Sequence, residues 1–257
     1  MKSIQRTAIA FLVGVGLSAC GGGSGSGDPP PPPVQNASPG GIWKGMDPIS
    51  GLSVMGVVTE SGQLQFIRSD GAMYYGSITT SGNSVSGNYT GVTPSGTAFS
   101  DGSTSGTGTF SGTVQARQTL SGTLSFTTAK GSSTSGSGTF TFDSLYTSGS
   151  SLATIAGNYT DTPDTAVVNV NSNGVIFSQS PTTGCVINGQ VSIIDAAYDA
   201  YSISYTFASC TGAAAYLNGT TATGLAVLDT SVSPVVAYIG VENNAAGYVL
   251  TEAFPKQ

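Results

Sequence analysis

The sequence predicts an all-β fold of two tandem antiparallel units, each with about eight strands forming a small barrel or a two-sheet sandwich. Three observations support this prediction. Only 8% of the 257 residues are charged and 37 are glycine, so the Lys and Glu typical of solvated helices are scarce. Short β-rich runs alternate with turn clusters of Gly, Ser, Asn and Asp, and no long window has a helical period. The pattern then starts again, because Gly157-Asn158-Tyr159 resembles Gly41-Ile42-Trp43.

The first unit is expected to span residues 41–145. Its predicted strands are Gly41–Asp47, Leu52–Glu60, Gln63–Ser69, Ala72–Thr80, Asn83–Val92, Gly106–Arg117, Thr119–Thr128 and Gly136–Asp143. Ser-Gly-Thr triplets recur in this unit at spacings of 6, 10 and 16 residues. Such repetition leaves a β-solenoid as an alternative fold, although a solenoid needs a more regular repeat.

The second unit is expected to span residues 146–257, after a Ser-rich break with a helical turn at Leu152–Ile155. The same alternation between turn signals predicts about eight strands here as well. These strands are Ala156–Thr160, Ala166–Ser172, Val175–Ser180, Cys185–Asp195, Ala200–Ser209, Tyr216–Leu228, Val235–Val241 and Tyr248–Phe254.

Two strands of the second unit match well as a hairpin. With Val191 opposite Ile203, the apolar residues of both strands share one face. The same register places Gly189 beneath the ring of Tyr205, a pairing in which the aromatic side chain covers the exposed glycine backbone.

Cys185 and Cys210 border this hairpin. The register sets Cys185 opposite Ser209, one residue from Cys210, an offset that a bulge or the strand end can absorb. Residues 1–19 have the features of a secretory signal peptide. Since an exported protein meets an oxidising compartment, we expect these two cysteines to form a disulfide. The chain has no histidine and no C-x-x-C pair, so a zinc or redox role is disfavoured.

Residues 1–19 are typical of a secretory signal peptide. Lys2 and Arg6 precede an apolar stretch over residues 8–17, which is too short to span a membrane as a helix. The four residues LSAC, ending at Cys20, resemble the lipobox of bacterial lipoproteins. That resemblance implies that Cys20 is lipid-modified and becomes the first residue of the mature protein. Ordinary secretion, with Cys20 as a free or disulfide-bonded thiol, is the alternative.

The resemblance also bears on location. Gly21, rather than Asp, follows Cys20, which implies sorting to the outer membrane, on either its periplasmic or its cell-surface side. Residues 20–40 then form a predicted disordered linker, with a flexible glycine run before the stiff polyproline segment Pro29–Pro33. This tether would hold the folded part away from the bilayer, and several acyl chains would make the anchoring effectively permanent.

Net charge excludes one class of partner. Without residues 1–19, five of the seven basic residues remain against 13 acidic ones, a net charge of −8. The remaining cations are scattered, whereas nucleic-acid binding needs clustered Lys and Arg. The expected partners are therefore the membrane, through the lipid, and a ligand other than nucleic acid.

The sequence argues against catalysis. Without histidine, neither a Ser-His-Asp nor a Cys-His system can form, and no glycine-rich phosphate loop is present. We therefore expect that the protein is not an enzyme and that it binds no cofactor or metal. Two alternatives use carboxylates: Asp161 and Asp164 as a glycosidase pair, and Asp195 and Asp199 as Ca²⁺ ligands at a hairpin tip. Turn chemistry explains these aspartates equally well.

Three aromatic residues are candidate ligand contacts: Trp43, Tyr74 and Tyr75. Trp43 is the single tryptophan, and its favoured position is a core or a barrel end. Tyr74 and Tyr75 are adjacent in a predicted strand, so one of them must point outward, where a partner could contact it.

In layout the chain is similar to two-domain β-barrel surface lipoproteins of Gram-negative bacteria, such as the factor-H-binding and transferrin-binding lipoproteins. The resemblance rests on Cys20–Gly23, chain length and strand count, and no ligand-binding motif of those families is present. It implies a non-catalytic binding module for a protein, a glycan or a small apolar ligand. A structural or envelope-assembly role and, more remotely, a carboxylate-dependent hydrolase are the alternatives.

Overall fold

The structure is a computed structural model, and it describes residues 35–160 and 166–257. These residues belong to one compact unit. The signal peptide, the lipobox with Cys20, the linker up to residue 34, and Asp161 and Asp164 lie outside the described residues. The end of the expected linker contacts the folded part, since Ala37 N–H donates to the Gly82 carbonyl over 2.8 Å.

The first eight strands form a closed antiparallel barrel in which each strand pairs with its sequence neighbour. The barrel closes where β1 pairs with β8, with Trp43 opposite Phe142. The strands are β1 Gly41–Met46, β2 Ser53–Val58, β3 Gln63–Arg68, β4 Met73–Ser81, β5 Ser84–Val92, β6 Ser105–Gln115, β7 Thr119–Thr128 and β8 Ser133–Asp143. This closed barrel excludes the solenoid alternative for residues 41–143.

A short 3₁₀ helix, Ser144–Ser148, and helix α1, Leu152–Ile155, lead to a second sheet of eight antiparallel strands in sequence order. The strands are β9 Gly157–Thr160, β10 Val167–Val170, β11 Val175–Gln179, β12 Val186–Ile193, β13 Tyr201–Ala208, β14 Thr221–Asp229, β15 Val236–Asn243 and β16 Tyr248–Pro255. The prediction of an all-β fold with two eight-stranded antiparallel units is thus confirmed.

One predicted strand is wrong in its first part. Residues Gly212–Leu217 form a 3₁₀ helix, and β14 begins only at Thr221. The separation follows from the turn between them, where Gly219 has a φ of 78° and Thr220 N–H donates to the Leu217 carbonyl over 2.9 Å. A positive φ interrupts an extended strand and is favourable for glycine.

The predicted hairpin register is confirmed. Val191 pairs with Ile203 and Gly189 with Tyr205 in the β12–β13 ladder. A Cβ atom at Gly189 would lie 2.4 Å from the Tyr205 Cβ, so this position needs a glycine. The register therefore depends on a close backbone contact as well as on apolar pairing.

Side chains alternate between the interior and the outer face of each sheet. Each interior holds one apolar cluster, and a third apolar cluster joins the two outer faces. Ile42 and Val57 of the first barrel pack there with Ala200, Leu225 and Val227 of the second sheet. The carboxamide of Gln65 on β3 crosses the same boundary: Nε2 donates to the Leu225 carbonyl over 3.1 Å, and Oε1 accepts from the Leu225 N–H over 3.0 Å.

Within the described ranges, every helix is too short or too polar to cross a membrane.

Candidate functional site

The interior of the second sheet contains an apolar cavity of about 120 Å³. Ile155 of α1 borders it, and the other lining side chains project inward from β9–β13, β15 and β16 or from the residues beside those strands. Most of the lining is aliphatic, including Val168, Val191, Ile203 and Ile239. The cavity therefore presents mainly hydrocarbon to anything that enters it.

The tyrosine hydroxyls of the cavity wall bond within the wall itself. Tyr159 Oη donates to the Ile155 carbonyl over 2.7 Å, and the hydroxyls of Tyr205 and Tyr248 lie 3.1 Å apart. Burial raises the pKa of Tyr159 to about 12, with a smaller contribution from Tyr201. Tyr159 is thus neutral, and the hydroxyls of all three tyrosines are directed to protein partners.

The second sheet is nearly closed, and its two ends meet through the C-terminal residues. An isolated antiparallel bridge joins Tyr159 to Lys256, and Gln257 N–H donates to the Asn158 carbonyl over 2.8 Å. Lys256 Nζ also donates to the Thr154 carbonyl over 2.9 Å. This seam between β9 and β16 bounds the cavity with far fewer backbone bonds than the ladders on either side.

The first barrel is filled more tightly. Its interior cavity is only about 50 Å³, because aromatic rings occupy the space. The Tyr89 and Phe126 rings stack with centroids 6.1 Å apart, and Phe66 packs against Phe140 at 5.6 Å. The second sheet is therefore the better candidate for an interior ligand.

The predicted disulfide joins Cys185 and Cys210 beside this cavity-bearing sheet. Strand β13 ends at Ala208, and Ser209 adopts a φ of 57°. This turn at the strand end absorbs the one-residue offset of the two cysteines. Asn218 then holds the Cys210 backbone, because its Oδ1 accepts from the Cys210 N–H over 2.7 Å.

The structure separates the three aromatic candidates. Trp43 is fully buried and its indole N–H donates to the Pro39 carbonyl over 3.1 Å, so it occupies the core position that the sequence favoured and has no surface for a ligand. Tyr74 points into the barrel, where its hydroxyl donates to Asp47 over 3.3 Å. Tyr75 points outward, as the alternation of strand side chains requires, and borders a cleft between the first barrel and the second sheet.

The first barrel also contains a buried charge network that sequence reasoning missed. Arg68 donates through Nη1 to Asp47 at 3.1 Å and to Tyr74 at 2.8 Å, and through Nη2 to Asp70 at 2.7 Å. Burial alone would lower the pKa of Arg68, but the hydrogen bonds and the nearby charges outweigh it and raise that pKa. Since Asp70 follows Arg68 at a turn, only that pair could have been found from spacing.

The two aspartates considered as Ca²⁺ ligands accept hydrogen bonds from different backbone N–H groups. Asp195 Oδ1 accepts from Ala197 N–H over 2.9 Å, as turn chemistry predicts. Asp199 is buried, and both of its oxygens accept from Leu228 N–H, at 3.1 and 3.0 Å. Burial raises the pKa of Asp199 to about 7. In the part of the chain that the structure describes, no three His, Cys, Asp or Glu residues cluster as metal ligands would.

The fold and cavity define a tandem antiparallel β protein with an apolar interior site. No protein-family model matches the chain, and no curated protein matches it. Among solved structures, it is similar to Aeromonas veronii immune modulator A, with 12% sequence identity and a TM-score of 0.39 over 88% of this chain and 97% of that one.

Proposed function

We propose that this protein is a lipid-anchored lipoprotein of the outer membrane that binds a small apolar ligand, without chemical conversion, inside its second sheet. The observation that carries the proposal is the apolar cavity of about 120 Å³. An apolar ligand that leaves water for such a cavity gains the free energy of hydrophobic transfer and new dispersion contacts.

The size of the cavity limits the ligand. Cavities that hold drug-sized molecules are typically larger than about 300 Å³, whereas an engineered apolar cavity of about 150 Å³ takes up benzene. A single small ring or a short alkyl chain therefore fits this interior.

The seam between β9 and β16 supplies a route for entry. A single isolated bridge joins Tyr159 to Lys256 there, and only a few backbone bonds must open before the interior is reached. Local opening of this kind costs less free energy than global unfolding.

The membrane anchor is the second part of the proposal, and it rests on the lipobox-like segment ending at Cys20. Replacing Cys20 by Ala is expected to abolish labelling by a radioactive fatty acid and either release the protein from membranes or leave it unprocessed. The Cys185→Ser/Cys210→Ser variant is the control and should still be labelled. A Cys20→Ala protein that stays processed and membrane-bound would contradict the anchor.

Ligand binding is tested with the full mature protein and two matched variants. Ile239→Phe fills the second cavity, whereas Leu124→Phe adds a similar volume beside the small cavity of the first barrel. Toluene and straight-chain alkanols from butanol to octanol serve as probes in calorimetric titrations. We expect saturable binding to the native protein and to Leu124→Phe, and its loss in Ile239→Phe.

Two results would overturn this site. Equal binding by native protein and Ile239→Phe would place the ligand elsewhere, and no saturable binding of any probe to the native protein would remove the proposed function.

A further inference from the structure

We propose that the protein has a second binding site, for a neutral oligosaccharide, centred on Tyr75. A cleft of about 360 Å³ lies between the outer face of β3–β4 and the outer face of β12–β14. It exceeds both interior cavities and falls within the range of about 300 to 1,000 Å³ typical of small-molecule sites. Tyr75 borders this cleft from the first barrel.

The lining of the cleft is polar and almost free of charge. Amides and hydroxyls face one another across it, and the single ionisable acid of the lining is Glu242. These polar side chains are Gln63, Gln190, Ser192, Ser202, Ser204 and Thr223. Amide and hydroxyl groups both donate and accept hydrogen bonds, which matches the alternating donors and acceptors of sugar hydroxyls.

The walls of the cleft are held in place before any ligand binds. Gln65 bonds to both backbone groups of Leu225, which links β3 to β14. Gln190 Nε2 donates to the carbonyls of Asn173 and Val191, each over 2.8 Å. Because these bonds fix the walls in advance, a ligand loses less free energy in ordering the site.

Tyr75 also borders a second, shallow depression on the outer face of the first barrel, with a volume of about 530 Å³. Ladder pairing sets Tyr75 beside Thr90, Thr107 and Thr127 in one row across four strands. Neighbouring strands lie about 4.8 Å apart, so the row presents a regular series of hydroxyls. A linear ligand can therefore begin in the cleft, cross the Tyr75 ring and continue along these threonines.

The chemistry of this surface favours a neutral glycan over other ligands. An apolar ligand would leave the lining hydroxyls and amides without hydrogen bonds, which is costly. An anion would find no lysine or arginine in the lining of either depression. An extended peptide needs a free strand edge for backbone pairing, whereas β4 to β7 are each paired on both sides. A sugar ring can instead place its C–H face on Tyr75 and its hydroxyls on the polar walls.

The test uses the full mature protein with maltohexaose, cellohexaose and xylohexaose, each compared with its trisaccharide, in NMR titrations. At least one hexasaccharide should shift signals of residues lining the cleft and bind more tightly than its trisaccharide, because the longer chain reaches the threonine row. Tyr75→Ala should raise the Kd for that hexasaccharide about tenfold through loss of ring packing. Tyr75→Phe, which keeps the ring, should bind nearly as the native protein does.

Tyr216→Ala is the matched control, since Tyr216 is 57% exposed and lies outside both depressions. It should leave the Kd unchanged, and so should Ile239→Phe, which fills the interior cavity of the second sheet. An unchanged Kd in Tyr75→Ala would overturn the inference, as would the absence of any cleft signal shift with all three hexasaccharides at millimolar concentration.

Discussion

The first barrel and the second sheet have the same number of strands in the same antiparallel order, but they close differently. In the first barrel, β1 and β8 pair over three residues, and Lys44 forms an ion pair with Asp143 at 2.5 Å across that seam. In the second sheet, one bridge between Tyr159 and Lys256 joins the first and last strands.

The interior of the first barrel is also filled more tightly than the interior of the second sheet. Trp43 and several phenylalanines fill the first barrel down to a cavity of about 50 Å³. The second interior is lined largely by Val and Ile and keeps about 120 Å³. Equal strand numbers thus give a filled core in one region and a ligand-sized space in the other, because side-chain volume and closure decide what remains inside a small barrel.

The largest expected difference between the regions is in the loss of stability when Trp43 or Tyr159 is replaced. These residues occupy corresponding places in the repeated pattern that begins at Gly41 and Gly157. Trp43→Ala should destabilise the protein by roughly 3 to 5 kcal/mol, because it empties a packed core. Tyr159→Ala should cost less, roughly 2 to 3 kcal/mol, because Tyr159 already borders a cavity. Urea denaturation followed by circular dichroism measures both losses, and an equal or larger loss for Tyr159→Ala would contradict the contrast.

The disulfide provides the next largest effect. Cys185 and Cys210 are 25 residues apart, and on the chain-entropy model a cross-link of that length contributes roughly 3 to 4 kcal/mol. The Cys185→Ser/Cys210→Ser variant should therefore lower the thermal midpoint seen by tyrosine near-ultraviolet circular dichroism. Fluorescence of Trp43, which reports on the first barrel alone, should shift much less. Equal shifts of both signals would mean that the two regions unfold together.

Asp199, near the junction between the regions, should make the stability of the protein depend on pH. Its folded pKa of about 7 lies above the usual value for Asp, so the folded state favours the neutral acid. Stability should therefore fall as the pH rises from about 4 to about 7, by about 1.4 kcal/mol for each unit of pKa difference. Asp199→Asn keeps an oxygen for the Leu228 N–H and should flatten this dependence. Thermal midpoints of the native protein and the variant across that pH range provide the measurement. Parallel curves would contradict the assignment of the pH dependence to Asp199.

The smallest expected effect is a difference in hydrogen exchange between the β1–β8 seam and the β9–β16 seam. Amides of β9 and β16 should exchange hydrogen faster than those of β1 and β8, because fewer backbone bonds must break. Hydrogen exchange followed by mass spectrometry can compare peptides that cover the four strands. Toluene should slow exchange at β9 and β16 only, provided that it occupies the second interior. Equal protection at both seams would remove the proposed entry route.

Much of the fold followed from local pattern. Alternation with a period of two, with turn residues between runs, located nearly every strand, and it also placed Val191 opposite Ile203. The 3₁₀ helix Gly212–Leu217 was missed: its last two residues, Tyr216 and Leu217, were assigned to the next strand, because a single helical turn is too short to show a helical period. The outward direction of Tyr75 could be stated only as a choice between adjacent tyrosines, since alternation does not say which face is inside.

By itself, the sequence determined the all-β class, the two sets of strands, the β12–β13 register and the pair of cysteines able to bond. These features depend on residues close together in the chain, whose spacing dictates which face each side chain occupies. Only the tertiary structure decided how far each sheet closes, how much space remains inside it, that Gln65 bonds to the second sheet, and that Tyr75 borders a cleft shared with that sheet. Those outcomes depend on packing between residues as far apart as Gln65 and Leu225, where volume and shape, rather than local periodicity, select the partner.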